Sequence, residues 1–330
     1  MKTIIVSHES DVDGIFSASI GLIRFPQAKV FFTSYGDEDF QKLAGTILDE
    51  IAKANINADT EEKRQIIIAD LGLNDNMINQ FKEILSFLKS NQWMISWIDH
   101  HPWSKKAINT VKEVGVRLVL DNSENLCASE IMYQTFLGDN LIAKTLATIA
   151  HTTDFFTKDQ VIPPLPELIT FYKTFPDFYI KLSEMAKKIS HGILWDTEMQ
   201  NDFTKYAKIR DKEKEETLKK IRIETMREGL KICIIPASPY LQTSLFAEEV
   251  FVKTNADIAF FVNDEGKVSI RRNNKEINCD KIAGHLLEGG GHKFAAGAKL
   301  RSNPASKDDI MMEIKEAVSK SVYKISEKSR

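Results

Sequence analysis

The sequence predicts an α/β protein in two parts, with a doubly wound, mainly parallel sheet over residues 1–190, a helical linker over 191–230 and a smaller α/β domain over 231–330. Three observations carry this. Short apolar, β-rich runs alternate with stretches of helical spacing through the first part, as parallel βαβ units require. Residues 201–231 are densely charged with interleaved signs, as a solvated connecting helix would be. At 330 residues the chain is longer than one typical core fills.

The strands of the first part are expected at 3–7, 29–35, 65–70, 94–99 and 117–121, with helical spacing at 39–54 and 74–90 between them and a helix starting near Ile15. After residue 121 the pattern turns helical, near 127–138 and 140–153. Pro163, Pro164, Pro166 and Pro176 then break regular structure. In the charged segment Glu215 with Lys219, and Glu216 with Lys220, stand at the favourable i, i+4 spacing. The second domain opens on the strand 231–235. It continues with a helix near 241–253, strands at 257–263 and 267–272 joined by the hairpin signal Asp264-Glu265-Gly266, a helix at 280–287, a glycine segment and a closing helix at 305–327.

Composition narrows the function classes. With 43% hydrophobic and 28% charged residues the chain reads as globular. No apolar run reaches the ~20 residues that span a bilayer, so no membrane partner is expected. Met1-Lys2-Thr3 runs straight into a strand without a cleavable signal, and Cys127, Cys233 and Cys279 form neither a disulfide framework nor a zinc pattern, so a cytoplasmic location is expected. A net charge of −3 argues against a globally basic binder of long nucleic acid and favours small or short phosphate substrates.

Chemistry-bearing groups gather at strand ends. The first run is followed by His8, Asp11, Asp13 and Gly14; Ile66-Ile67-Ile68-Ala69 ends on Asp70; and Trp93-Met94-Ile95-Ser96-Trp97-Ile98 ends on Asp99-His100-His101. A lone Asp after a strand is most often a cap, and a lone His is most often structural. Parallel sheets, however, bring the C-terminal ends of their strands to one edge, where such folds bind ligands. The joint pattern therefore points to metal or catalytic equipment, and the helix expected at 140–153 runs into Ala150-His151-Thr152-Thr153-Asp154. In the second domain Val268-Ser269-Ile270-Arg271 precedes Glu288-Gly289-Gly290-Gly291-His292-Lys293-Phe294-Ala295-Ala296-Gly297, where successive glycines expose backbone N–H groups suited to a phosphate.

These two motifs, in this order, resemble the DHH phosphoesterases that carry a glycine-rich C-terminal DHH-associated domain, the RecJ-like and nano-RNase-like branches; the resemblance runs from about residue 3 to about residue 300. It implies a hydrolase of phosphodiester bonds in short oligonucleotides or terminal nucleotides that works through two divalent ions, Mn²⁺ first, with Mg²⁺ or Co²⁺ acceptable to the same donors. By this resemblance His8, Asp11 and Asp70 hold one ion, and Asp13, Asp70, His100 and Asp154 hold the other, with Asp70 bridging. Asp99 orients an imidazole, His101 faces the substrate phosphate, and Arg271, Gly289, Gly290, Gly291 and His292 bind substrate. Strand alternation makes Arg272 a solvent-facing neighbour of Arg271. His151 is assigned a structural role.

The chain departs from familiar family patterns in the spacing of Asp11 and Asp13 after His8, shifted by one residue, and in Phe155 after Asp154, where many relatives have a small residue. Alternatives from the same resemblance are a RecJ-like single-strand exonuclease, a nucleotide bisphosphate phosphatase and a replication-associated protein without enzymatic activity. Family II inorganic pyrophosphatases share the first domain but lack the Gly-Gly-Gly-His segment. A homodimer is compatible with the resemblance.

Overall fold

In a computed structural model of the chain, the structure describes residues 2–34, 37–56, 63–121, 123, 125–155, 157, 162–226, 229–302 and 306–326. The expected strand end at Tyr35, the closing-helix ends at Ala305 and Glu327, and Phe156 lie outside these. Two compact units divide at Gln200 and Asn201.

The first unit contains β1 (Lys2–His8), α1 (Val12–Arg24), β2 (Lys29–Thr33), α2 (Asp37–Ile56), β3 (Arg64–Ala69), α3 (Ile78–Ser90), β4 (Trp93–Asp99), α4 (Lys105–Glu113), β5 (Arg117–Leu120), α5 (Ala128–Phe136), α6 (Leu141–Asp154), α7 (Leu165–Tyr172) and α8 (Phe178–Ser190). Its sheet has the order β2-β1-β3-β4-β5 with every pair parallel. Helices cover both faces, which is why β1, β3 and β4 are near-continuous apolar runs. On one face Ile4, Val6, Ile66, Ile68, Ile95 and Trp97 join a core with residues of α2, α3 and α4. On the other, α1 is buried along almost its whole length among β1, α5, α6 and α8. The strand order reverses between β1 and β3, the crevice where doubly wound sheets bind ligands.

The proline segment differs from expectation. Pro164 and Pro166 do not exclude a helix but begin one, α7, because a helix's first turn needs no N–H from those positions.

The second unit begins within α9 (Thr197–Leu218) and holds β6 (Arg222–Thr225), β7 (Lys231–Pro236), α10 (Thr243–Thr254), β8 (Ile258–Val262), β9 (Lys267–Arg272), α11 (Cys279–Ala283), β10 (Leu287–Gly291), β11 (Ala295–Lys299) and α12 (Lys307–Ser326). The charged helix stops at Leu218 rather than 231. The alternating Arg222-Ile223-Glu224-Thr225 pairs antiparallel with β7 as an edge strand. The sheet order is β10-β11-β9-β8-β7-β6, with only β7 and β8 parallel. Alternation splits its core, with Ile232, Phe260 and Ile270 packing toward α11 and α12, and Cys233, Ile235 and Phe261 toward α10. The β8–β9 hairpin turns at Gly266, φ 79°, where the sequence signal placed it.

Candidate metal and phosphate site

Each strand end of the first unit delivers its groups through a local device. Past β1, Asp11 caps α1, its Oδ1 accepting from Gly14 N at 2.9 Å. Gly14 is required here, since a Cβ would stand 2.2 Å from His8 O. Asp70 follows β3 with φ 55°, a left-handed turn that Asp tolerates better than most residues. Asp70 N donates to Ile98 O at 3.0 Å, and Trp97 Nε1 donates to Leu71 O at 2.8 Å, so β4 fixes the turn from both sides.

The sequence-assigned residues of this unit, drawn from β1, α1, the turn after β3, the end of β4 and the end of α6, come together. His8 Nδ1 lies 2.8 Å from Asp11 Oδ2 and 3.6 Å from Asp70 Oδ2. His100 Nε2 lies 3.4 Å from Asp70 Oδ1 and 3.7 Å from Asp13 Oδ2, and its Nδ1 is 3.7 Å from Asp154 Oδ2. Two donor groups, His8 with Asp11 and Asp70, and Asp70 with His100 and His101, each have ligand atoms within 4.8 Å of one another and share Asp70. Asp13, 1% exposed, accepts Ala128 N at 2.7 Å and Ser129 N at 2.8 Å on its two oxygens, placing its charge at the positive end of α5.

Asp99 is fully buried and turned toward His101 and Trp103. Its Oδ1 takes His101 Nδ1–H at 2.8 Å, and its Oδ2 takes Trp103 Nε1–H at 2.6 Å and His101 N–H at 3.3 Å. An ionised carboxylate only accepts, so Asp99 fixes a proton of His101 on Nδ1. The imidazole that Asp99 orients is thus His101, not His100.

The electrostatics follow from packing acids and imidazoles without water. Burial disfavours charge on His8, but Asp11 and Asp70 outweigh it and raise its pKa to about 10. Burial likewise opposes His100, and Asp70, Asp154 and Asp13 together raise it to about 11. Burial and the charge of Asp70 push Asp13 up to about 8, against the pull of His100. Burial raises Asp154 to about 6, opposed by His100 and reinforced by Asp70 and Asp11. Against burial, His8 holds Asp11 below its ordinary range, and His101 does the same for Asp99. Asp99 in turn raises His101 against its own burial. Carboxylate oxygens mixed with imidazole nitrogens at these separations are a donor set that could hold a metal ion.

The residues assigned to substrate in the second unit share one corner of its sheet. Arg271 on β9 pairs with Ala295 on β11, and Ala295 O accepts His292 N at 2.8 Å. The Arg271 guanidinium bonds neutral partners, Ser244 Oγ at 3.1 Å and Ile270 O at 2.9 Å, and burial lowers its pKa to about 10. The glycine segment is not a loop. Gly289, Gly290 and Gly291 belong to β10, an exposed edge strand with a register shift between Leu287 and Gly290. A Cβ at Gly289 would meet Ala283 O at 1.8 Å, so the close approach of this strand to α11 demands glycine, whereas Gly290 has open space around it. The expected 280–287 helix ends at Ala283, with Gly284 at its C-cap. Arg272 is not simply solvent-facing, because its guanidinium holds Lys275 O and Ile277 O and so clips the following loop.

Sequence reasoning missed the N–H donors of Ala128 and Ser129, the Trp103 bond to Asp99, and Lys173 of the α7 C-terminus, whose Nζ donates to Ser10 Oγ at 2.5 Å beside the His8–Asp11 loop. None has a local sequence signal, because what each contact does is set by where the fold brings its two segments.

Comparison with known proteins agrees with this architecture. Residues 245–320 match the DHHA1 domain. Among curated proteins, no sequence matches the chain. Similar solved structures include the DHH domain of a member of a family of ribosomal proteins, at TM-score 0.64 and 15% identity over 96% of this chain and 86% of that one. An exopolyphosphatase-related protein from Bacteroides fragilis aligns at TM-score 0.56 and 14% identity over 97% and 92%. The pGpG-specific phosphodiesterase PggH from Vibrio cholerae aligns at TM-score 0.54 and 12% identity over 97% and 100%. The DHHA1 match near the end of the chain, and a fold shared over nearly all of it with solved DHH proteins, agree with the resemblance read from the sequence.

Proposed function

We propose that the protein is a two-ion phosphoesterase that cleaves phosphodiester bonds of short oligonucleotides or terminal nucleotides. The observation that carries this reading is Asp70, a buried carboxylate shared by the His8–Asp11 and His100–His101 groups. Asp11, Asp13, Asp70 and Asp154 concentrate negative charge in a confined space, which is stable only with cations or protons among them. His8, Asp11 and Asp70 would hold one ion, and Asp13, Asp70, His100 and Asp154 the other. When bound, two such ions neutralise a phosphodiester's charge and activate water.

The chain's own residues supply the rest. His101, its Nδ1–H held by Asp99 and its charge favoured by that carboxylate, would donate Nε2–H to a phosphate oxygen as an imidazolium. Arg271, whose guanidinium bonds only neutral partners among the described residues, and the backbone N–H groups of the glycine edge are the second unit's own groups suited to a phosphate. The kinship of fold with a phosphodiesterase named for a dinucleotide supports a short substrate. The test is turnover of a 5′-phosphorylated RNA dinucleotide with Mn²⁺, with chelator, and by Asp70→Asn, which keeps a side chain suited to the left-handed turn. The parent is expected to need Mn²⁺ and the variant to lose turnover almost entirely. Full activity in chelator or in Asp70→Asn refutes the two-ion reading. Preference for long single-stranded DNA or for a nucleotide bisphosphate over the dinucleotide replaces the substrate.

A further inference from the structure

Asp13 and Asp154 both face His100, yet they sit on different helices, α1 and α6, and a chain of contacts ties those helices together. Asp13 is gripped by the first-turn N–H groups of α5, at Ala128 and Ser129, and Ser129 Oγ also donates to Asp13 O at 2.9 Å. That first turn is closed by Glu130, whose Oε2 accepts Cys127 N at 2.9 Å. The same oxygen lies 2.8 Å from His151 Nδ1 on α6. His151 stands one helical turn before Asp154, and its ring lies 4.6 Å from that of Phe155, which in turn meets the His100 ring edge-on at 6.3 Å. The Glu130–His151 pair is therefore the side-chain bond that links the turn gripping Asp13 to the helix end carrying Asp154. The path does not include His8 or Asp11, which are held by β1 and the α1 cap.

We propose that Glu130 and His151 are positioning residues for one ion only, the one assigned to Asp13, His100 and Asp154, by fixing the separation of its two flanking carboxylates. The sequence reading gave His151 a structural role; here that role is specific to one of two adjacent sites. The inference rests on the two-ion reading above. It predicts a split that general destabilisation would not produce. Losing the pair loosens one binding step and spares the other, because a partner that orients ligands typically contributes ~10- to 100-fold in metal affinity.

The experiment is a Mn²⁺ titration of the full chain, following unbound Mn²⁺ by its electron paramagnetic resonance signal, for the parent, His151→Ala, Glu130→Ala and Glu130→Gln. Alanine suits the interior of α6, so His151→Ala keeps the helix. The Glu130 variants give an independent reading from the other side of the bond. Both alanine variants should weaken one of two steps by ~10- to 100-fold and leave the other at the parent's value. Glu130→Gln, which retains an acceptor for Cys127 N, should stay closer to the parent than Glu130→Ala. Two unchanged steps, or two steps weakened alike, overturn the assignment. A parent that binds fewer than two Mn²⁺ refutes the two-ion reading itself, and this inference with it.

Discussion

Replacing Asp99 by Asn changes one atom in a fully buried group whose hydrogen bonds are all to His101 and Trp103. The carboxylate accepts from His101 Nδ1, His101 N and Trp103 Nε1. An Asn has one oxygen and one NH₂ to offer in their place. Indole is a donor only, so the oxygen must face Trp103 and the NH₂ must face His101. His101 can then only accept on Nδ1, which moves its proton to Nε2 and removes its positive charge. The lost charge-assisted bond is worth about 1.5–3 kcal/mol, or roughly 3–12 °C in melting temperature for a unit of this size.

The pH dependence of that loss has a definite sign. Asp99 is lowered from 3.8, so its stabilisation is present above that value and lost on acidification. His101 is raised from 6.5, so its stabilisation is complete below 6.5 and is lost progressively as pH rises from there through its higher folded value. The destabilisation should therefore be greatest between about pH 4 and 6.5. Turnover should fall ~10- to 100-fold, short of the loss in Asp70→Asn, because Asp99 acts through His101. Thermal melts across pH, dinucleotide turnover and ¹⁵N shifts of the His101 ring read these effects together. If the ring keeps its Nδ1–H in Asp99→Asn, or if turnover falls as far as in Asp70→Asn, then Asp99 does not work through His101's proton.

Arg271→Ala should raise KM for a dinucleotide by one to two decades, from a charge-assisted contact worth about 1.5–3 kcal/mol, with bound Mn²⁺ unchanged; unchanged kinetics would remove Arg271 from the site. Gly289→Ala should fail to fold its unit properly, given the 1.8 Å approach to Ala283 O, while Gly290→Ala should melt like the parent and lose substrate affinity. Equal melting of both variants would contradict the described path of β10. In metal-free protein, His8 near 10, His100 near 11 and Asp13 near 8 are all raised. Each contribution is complete below the unfolded value and is lost as pH climbs to the folded one, so that of Asp13 is gone by about pH 8 and those of His8 and His100 fall from about 6.5 to 11, and chelated protein should melt progressively lower over the latter range. Added Mn²⁺ should release protons at pH 7, measured as a dependence of binding heat on buffer, and no such dependence would mean those imidazoles are already neutral.

Strand ends and their acids were legible because apolar runs and polar terminators are local signals. Ile66 to Asp70 and Trp93 to His101 can be read without knowing what they touch. The same locality explains the errors. The prolines at 164 and 166 look like breakers unless they are seen to occupy a first turn. The strand Arg222–Thr225 is masked by its charges, which an edge strand can keep in water. The glycines at 289–291 form an edge strand, and at Gly289 the nearness of Ala283 O leaves no room for a side chain. Which histidine Asp99 serves, and what holds Asp13, depend on Trp103, Ala128 and Ser129, partners that no spacing within a motif reveals.

The backbone at Asp70 also shapes which mutations this protein can survive. Its left-handed φ of 55° is one that asparagine and glycine adopt with least strain, and both lie a single base change from either aspartate codon. The substitutions that spare the fold most are therefore ones that erase the shared carboxylate. On the two-ion reading, a lineage carrying this turn could shed its chemistry in one step while keeping its architecture, so inactive descendants should be found with Asn or Gly at this position more often than with bulkier residues.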